Sequence, residues 1–408
     1  MKLLNIVHEE FTAVRDGLTM HGSMFRPKGA GPFPTIVISH EFMMNRLTTL
    51  PHAVMFARLG FAAFCFDFNG GGTISQSDGK TTDMSVLTET EDLKAVIDYV
   101  SKLPYTDMDR FQLMGCSMGG FVSALVAAEL GADKVKRLIL YYPALSIPDD
   151  ARKGSMLMAK FDPKNVPDKL FCGPIVLGKT YPETVMDWDP FPMISKYHGP
   201  VLLVGGDKDH VVDYSYFVKA YDAYVAGNKE ALESGEISEL PQVELETIRG
   251  GEHMFPVPMH YIDARNTAKM FALGRTEVLR VDVRLVDKMT FKLKGGKLDW
   301  NIPFTGTGTG RFYEGTVRPG ASDQRYYGLG GADVCADYTF EGKDCTGEPA
   351  EIHVMNRNHP TETWKPTVTT TSKALDFLNH NEAYARLRQL KWPLGPLVRI
   401  FVDYEATK

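Results

Sequence analysis

The feature that most constrains this chain is Gly115-Cys116-Ser117-Met118-Gly119, which closes an apolar run beginning at Phe111 and leads straight into a helix-forming stretch at 121–130. A strand that turns within a few residues into a helix has no room for side chains two positions before and two after its tip, so glycine is required at both. The tip residue is then held in a strained backbone with its side chain exposed. Small residues collect in many turns, and the pentapeptide alone says little. Its place between a buried strand and a helix makes it a nucleophile elbow, with Ser117 as the nucleophile.

A serine hydroxyl is a poor nucleophile until a base removes its proton and an acid orients that base. The strand-like run 200–206 opens into Asp207-Lys208-Asp209-His210-Val211-Val212-Asp213. The later run 243–248 opens into Arg249-Gly250-Gly251-Glu252-His253-Met254-Phe255. Both lie past the carboxyl ends of apolar strands, where catalysis gathers in open α/β sheets. The chain order serine, acid, histidine is that of α/β-hydrolases. Of the 11 histidines, only His253 follows a strand and a Gly-Gly turn after the acid. His210 adjoins the acid, and its use would need the loop to fold back on itself. Asp209 is the preferred acid; Asp207 abuts the strand and could instead cap the loop, and Asp213 reads as the cap of a helix beginning near Tyr214. The oxyanion hole is expected from the loop after 35–39, with the backbone N–H groups of Phe42 and Met118 as donors fixed before charge develops.

The segments Phe66-Asp67-Phe68-Asn69-Gly70-Gly71-Gly72, Ser77-Asp78-Gly79-Lys80 and Phe161-Asp162-Pro163-Lys164-Asn165-Val166-Pro167, together with the elbow and the two loops, resemble the bacterial cinnamoyl (feruloyl) esterases. The resemblance runs over about 11–273. It implies a serine α/β-hydrolase that releases hydroxycinnamic acids (ferulate, p-coumarate, caffeate) from their esters, and it favours Asp209 as the acid. It also implies that Asp150 and Tyr181 hold the ring hydroxyls of the substrate. This chain departs from the family pattern in having Glu41 where glycine usually follows the histidine, and Cys116 and Met118 beside the nucleophile where histidine and glutamine are usual. Glutamate is less permissive than glycine and adds negative charge near a developing oxyanion. Either its side chain turns away or the loop is built differently.

At 408 residues the chain is too long for one compact hydrolase domain, and its 44% hydrophobic content supplies ample core. A net charge of -6 without a basic run gives no reason to expect nucleic acid. No apolar stretch approaches the roughly 18 residues of a membrane span, and the amino terminus lacks the pattern of a secretory leader, so a cytoplasmic protein is expected. The five cysteines show no metal-ligand spacing, and neither metal nor cofactor is expected. Cys335 and Cys345 could face each other across a hairpin, although free thiols are the commoner case.

The reading is therefore an α/β-hydrolase over 1–274, with strands near 11–14, 19–25, 35–39, 62–68, 111–116, 138–142, 201–205 and 243–248. A helix is expected within 85–103, its early acids suiting the helix dipole. An insertion at about 143–198 is expected as a lid, whose Met156, Met158, Phe161, Phe171, Tyr181, Trp188 and Phe191 would wall the site against a planar aromatic acyl group. From 275 to 408 the chain alternates polar and apolar residues between glycine-rich turns, predicting an all-β barrel. Gly310-Arg311-Phe312-Tyr313-Glu314-Gly315 with Asp323 resembles a bacterial barrel family of unknown function, similar in shape to lipocalins. The barrel's expected part is a contact in a homodimer. General carboxylesterase or thioesterase activity, and a binding module on a decayed hydrolase, are the alternative functions.

Overall fold

The computed structural model describes residues 5–286, 289–294, 297–328, 331–358, 365–388 and 394–403. The chain divides into two compact units, 2–272 and 273–408.

The first unit begins with a hairpin of β1 (Ile6–Arg15) and β2 (Leu18–Pro27), paired along its whole length from Ile6↔Pro27 to Arg15↔Leu18. Then come β3 (Phe33–Ser39), α1 (Arg46–Arg58), β4 (Ala62–Phe66), α2 (Val86–Ser101), β5 (Thr106–Cys116), α3 (Met118–Leu130) and β6 (Arg137–Tyr141). The insertion that follows holds α4 (Ile147–Arg152), the small hairpins β7 (Ser155–Met156) with β8 (Ala159–Lys160) and β9 (Lys169–Cys172) with β10 (Ile175–Gly178), then α5 (Thr180–Glu183) and α6 (Pro190–Ile194). The unit closes with β11 (Val201–Gly206), α7 (Tyr214–Ser234), β12 (Val243–Ile248) and α8 (Pro258–Ala272).

Eight strands form one sheet in the order β1-β2-β4-β3-β5-β6-β11-β12. The hairpin joins antiparallel at one edge, and β4 through β12 run parallel. Every residue of β4, β6 and β11 is buried, which is why, Arg137 at the start of β6 apart, they carry no charged residue: a parallel sheet is covered by helices on both faces. The carboxyl ends of β3, β5, β11 and β12 consequently open on one rim of the sheet, and each carries a loop of interest. Helix α2 starts at a capping box in which the Ser85 and Thr88 side chains satisfy each other's backbone N–H, and it buries Leu93, Val96 and Val100 at helical spacing. Of its early acids, Glu89 stands in the first turn, and both Glu89 and Asp92 are buried. Glu89 and Asp92 face inward, Asp92 pairing with Arg15 and Asn69, while burial holds the Glu89 carboxyl well above the ordinary carboxylate range.

The second unit contains β13 (Arg275–Leu285), β14 (Thr290–Lys294), β15 (Lys297–Thr309), β16 (Tyr313–Val317), β17 (Ser322–Gly328), β18 (Gly331–Asp344), β19 (Pro349–Asn358), β20 (Thr367–Thr370), β21 (Ala383–Arg388) and β22 (Leu394–Asp403). They form one antiparallel sheet whose main path is β20-β19-β18-β16-β15-β13-β22-β21, with β17 bridging β15 and β18. Among the described residues the end strands β20 and β21 do not pair with each other, so the closed barrel expected from the sequence is seen as a ten-stranded sheet. One face gathers Val281, Phe304, Phe340, Ile352, Val354, Ile400 and Val402 into a core of its own. The cysteines are all free, and Cys335 lies within β18 while Cys345 follows its end, so the two do not face each other across a hairpin.

Candidate active site

The elbow is built as its glycines require. Ser117 has φ 53° and ψ -118°, between the end of β5 and the first residue of α3. A methyl group on Gly115 would sit 2.1 Å from the Gly119 carbonyl oxygen, and one on Gly119 would sit 2.4 Å from that of His40 and 2.6 Å from that of Ser39. These are backbone atoms with nowhere to go. The strained serine is tied by its N–H to the Tyr141 carbonyl at 2.9 Å, and its own carbonyl accepts the Ala144 N–H at 2.9 Å. Cys116 is fully buried, and burial pushes its thiol up, so it offers no competing thiolate.

The structure brings the three sequence-derived residues together. His253 Nε2 lies 2.9 Å from Ser117 Oγ, and His253 Nδ1 lies 2.7 Å from Asp209 Oδ2. A carboxylate only accepts, so Nδ1 carries the proton and Nε2 is left to accept from the serine hydroxyl. The other Asp209 oxygen accepts the N–H groups of Val211 and Val212 at 2.8 and 2.9 Å, which fixes the carboxyl plane. Asp207 instead accepts the Gly250 N–H, and Asp213 caps α7 through the Ser215 N–H. His210 is exposed and outside this chain of hydrogen bonds.

Phe42 and Met118 both line the cleft beside Ser117. Met118 opens α3, and the first N–H groups of a helix have no partner within it. The loop carrying Phe42 is braced from behind. His40 is buried, its Nδ1 donating to the Glu41 carbonyl at 2.7 Å and its Nε2 accepting the Phe68 N–H at 3.2 Å; burial lowers its pKa and keeps it neutral. Met43 bridges Gly72, where a methyl group would lie 1.6 Å from the Met44 carbonyl, and this accounts for one glycine of the Gly70-Gly71-Gly72 run. Glu41 does turn aside: its carboxyl accepts from Thr48 and Tyr142 and is not among the groups lining the cleft.

The cleft, about 450 Å³ with the open solvent at its mouth included, is walled by Phe42, Met118, Ala144, Ile147, Met156, Leu157, Tyr181, Val211 and Val212, with Ser117, Ser146 and Asp150 as its polar groups. Asp150 accepts from Ser146 Oγ at 2.8 Å, and burial holds its carboxyl above the ordinary range. The Tyr181 ring lies 5.4 Å from that of Phe42, and its hydroxyl is buried without a hydrogen-bond partner. Of the seven apolar residues expected to wall the site, only Met156 and Tyr181 do so. Met158 and Phe171 are 62% and 75% exposed, Trp188 packs on Phe121, and Phe191 stacks on Tyr216. The sequence reading missed Val211 and Val212 as cleft walls, although they stand two and three residues after the acid, and it missed Tyr142, which no motif marks.

Residues 31–186 match the family described as serine aminopeptidase, S33. A structure of Est1E from Butyrivibrio proteoclasticus with ferulic acid bound is 27% identical and superposes with a TM-score of 0.56, covering 64% of this chain and 98% of that one. The N-terminal unit has the α/β-hydrolase fold. A second Est1E structure gives a TM-score of 0.53 at 25% identity, over 65% of this chain and 97% of that one. An uncharacterized 31.7 kDa protein of Escherichia coli is 28% identical over 249 residues, 52% of this chain and 84% of the relative. The family and the esterase likeness support serine-hydrolase chemistry for this α/β-hydrolase. No helix among its described residues is long and apolar enough to cross a membrane.

Proposed function

We propose that the hydrolase unit cleaves carboxylic esters of hydroxycinnamic acids through an acyl-enzyme on Ser117. The observation that carries this reading is the unbroken hydrogen-bond chain from Asp209 through His253 to Ser117, at the edge of an apolar cleft holding one carboxyl, Asp150. Ser117 Oγ bonds to the ester carbonyl carbon as His253 Nε2 takes its proton, and the oxygen that gains charge faces the N–H groups of Phe42 and Met118. The imidazolium, steadied by Asp209, returns the proton to the alcohol oxygen as the C–O bond breaks. Water then repeats the sequence on the acyl-enzyme, releasing the acid and restoring Ser117.

Est1E, with ferulic acid bound, supports an aromatic acyl group in the cleft. Asp150 can accept a phenolic hydroxyl, and a substrate hydroxyl is one group able to satisfy the otherwise unpartnered Tyr181 hydroxyl. The insertion that carries both would act as a lid. The assembled hydrogen-bond chain speaks against a decayed hydrolase kept as a binding module. A second reading, cleavage of an amino-terminal residue, draws on the name of the matched family and on Asp150 as a counter-ion for an α-ammonium group. Assaying methyl ferulate, nitrophenyl acetate, an acyl thioester and an aminoacyl arylamide side by side decides among them. Preference for methyl ferulate is expected; a higher kcat/KM on the thioester or the arylamide would replace the proposed substrate class.

A further inference from the structure

Nothing in the proposed ester chemistry uses the carboxyl of Glu41, although only 4% of the residue is exposed. Its Oε2 accepts the Thr48 hydroxyl at 2.6 Å, from α1, and its Oε1 accepts the Tyr142 hydroxyl at 3.0 Å, from just beyond β6. Tyr142 in turn packs against the proposed base: its ring centroid lies 4.7 Å from that of His253, with the planes at 55°, and Phe255 closes on the tyrosine edge-to-face at 5.2 Å.

The backbone at Tyr142 adds an independent observation. Its φ is 36°, a left-handed conformation that a bulky side chain adopts only when its surroundings impose it. Here the surroundings do impose it. The Tyr142 N–H donates to the Val204 carbonyl at 2.7 Å, and Ala144, two residues on, donates to Ser117. A strained, doubly anchored aromatic residue is thus held against the imidazole, with its hydroxyl tied to a buried carboxyl on the loop of the expected oxyanion donor.

We propose that Glu41 is a positioning residue for His253, acting through Tyr142. The Asp209 bond holds the imidazole at Nδ1, beside the ring's attachment, so torsion of the His253 side chain can still pivot the far side of the ring and carry Nε2 away from Ser117 Oγ. The Tyr142 ring blocks the pivot from the face, and Glu41 keeps that ring in place. The proposal rests on the hydrolase reading.

The test uses the whole chain, with kcat and KM on an ester the parent cleaves, and thermal unfolding to check the fold. Tyr142→Phe keeps the ring and cuts its bond to Glu41, and Glu41→Leu cuts the same bond from the other end. Each should lower kcat roughly 5- to 50-fold with KM within about twofold, since small misplacements of a reacting group are costly. The double variant should be no slower than the slower single one. Glu41→Gln keeps an acceptor oxygen for Tyr142, while its amide can donate to Thr48, whose hydroxyl has the Asn45 carbonyl at 3.0 Å as another acceptor. It should restore kcat to within about threefold of the parent. If Glu41→Leu lowers kcat as much in the Tyr142→Phe background as in the parent, or if Glu41→Gln is as slow as Glu41→Leu, Glu41 acts through the oxyanion loop or its charge and the proposal fails. The downfield proton resonance of His253 Nδ1 gives a reading that needs no turnover: it should broaden in Tyr142→Phe and Glu41→Leu and stay sharp in Glu41→Gln. A parent that cleaves no ester would therefore overturn the hydrolase reading, while an unchanged resonance in all three variants would overturn the positioning role.

Discussion

The carboxyl of Asp207 accepts the Gly250 N–H at 2.6 Å, while that of Asp209, two residues on, accepts the His253 side chain at 2.7 Å. One loop thus reaches the histidine loop twice, first at its backbone and then at its imidazole.

Replacing the two acids should separate these roles. Asp209→Asn presents a donor or a weaker acceptor to Nδ1 and disturbs the tautomer, so kcat should fall on the order of a thousandfold or more. Asp207→Asn still offers an oxygen to the Gly250 N–H, and its kcat should stay within about tenfold of the parent. Steady-state kinetics on folded, purified variants decide, and the reverse ranking would assign the wrong acid.

Ser117→Ala should lose about a thousandfold or more in turnover while keeping the parent's melting temperature. A fluorophosphonate probe should label the parent at Ser117 and leave the variant unlabelled. Persistent ester turnover in the variant would place the nucleophile elsewhere.

Selectivity should reside in Asp150 and Tyr181. A buried polar pair that holds a phenol is left unpaired when the ring lacks the hydroxyl, whereas an apolar slot discriminates weakly. Ferulate or caffeate esters should therefore outrun the unsubstituted cinnamate ester. Asp150→Ala with Tyr181→Phe should narrow that gap by roughly 1–3 kcal/mol, with acetate esters nearly unaffected. Comparison of kcat/KM for the two ester types on the parent and the double variant reads this directly.

The elbow tolerates no side chain at Gly119. Gly119→Ala would set a methyl group 2.4 Å from a backbone carbonyl, so either the fold loses roughly 1–3 kcal/mol or the oxyanion loop shifts and turnover falls. Urea unfolding and kcat measured together should show at least one of these losses; parent values in both would contradict the geometry.

The C-terminal unit should respond to acid through Asp344. Only 8% exposed, it accepts hydroxyls from Ser372 and Thr346 and the Thr346 N–H, and these bonds, Ser372 foremost, hold its carboxyl down at about 2. An unfolded aspartate titrates near ~3.9, so the folded form binds its proton less readily. The resulting stability is complete above about pH 4 and is lost as pH falls toward about 2. Urea midpoints from pH 6 to 2 should show the parent's advantage over Asp344→Asn shrinking across that window; a pH-independent difference would contradict it.

The elbow, the acid loop and the histidine loop were legible because sterics and chain order impose them on the sequence itself. Gly115 is glycine because of Gly119, four residues on, while Gly119 answers to the distant carbonyls of Ser39 and His40 and was legible only through the tight-turn motif. The Glu41–Tyr142 contact spans 101 positions and follows no spacing rule, so the sequence showed an odd glutamate without its partner. Hydrophobicity marked the insertion as apolar but not which way each side chain turns, and Phe171 and Met158 face outward. In α2, dipole reasoning accounted for acids early in the helix but carries no information on tertiary burial, so the burial of Glu89 and Asp92 was not foreseen. Alternation of polar and apolar residues established the strands of the second unit, but not whether the ends of their sheet meet.

Gly119 rests against the carbonyls of Ser39 and His40, so the end of β3, the turn carrying Ser117 and the start of α3 are mechanically one part. The insertion that supplies Met156, Leu157 and Tyr181 is a separate stretch of chain joined at Tyr141 and Val201. The nucleophile's seat and the greater part of the cleft wall therefore come from different stretches of the chain. Exchanging residues 147–198 with those of a relative should shift selectivity while keeping Ala144, whose N–H holds the Ser117 carbonyl.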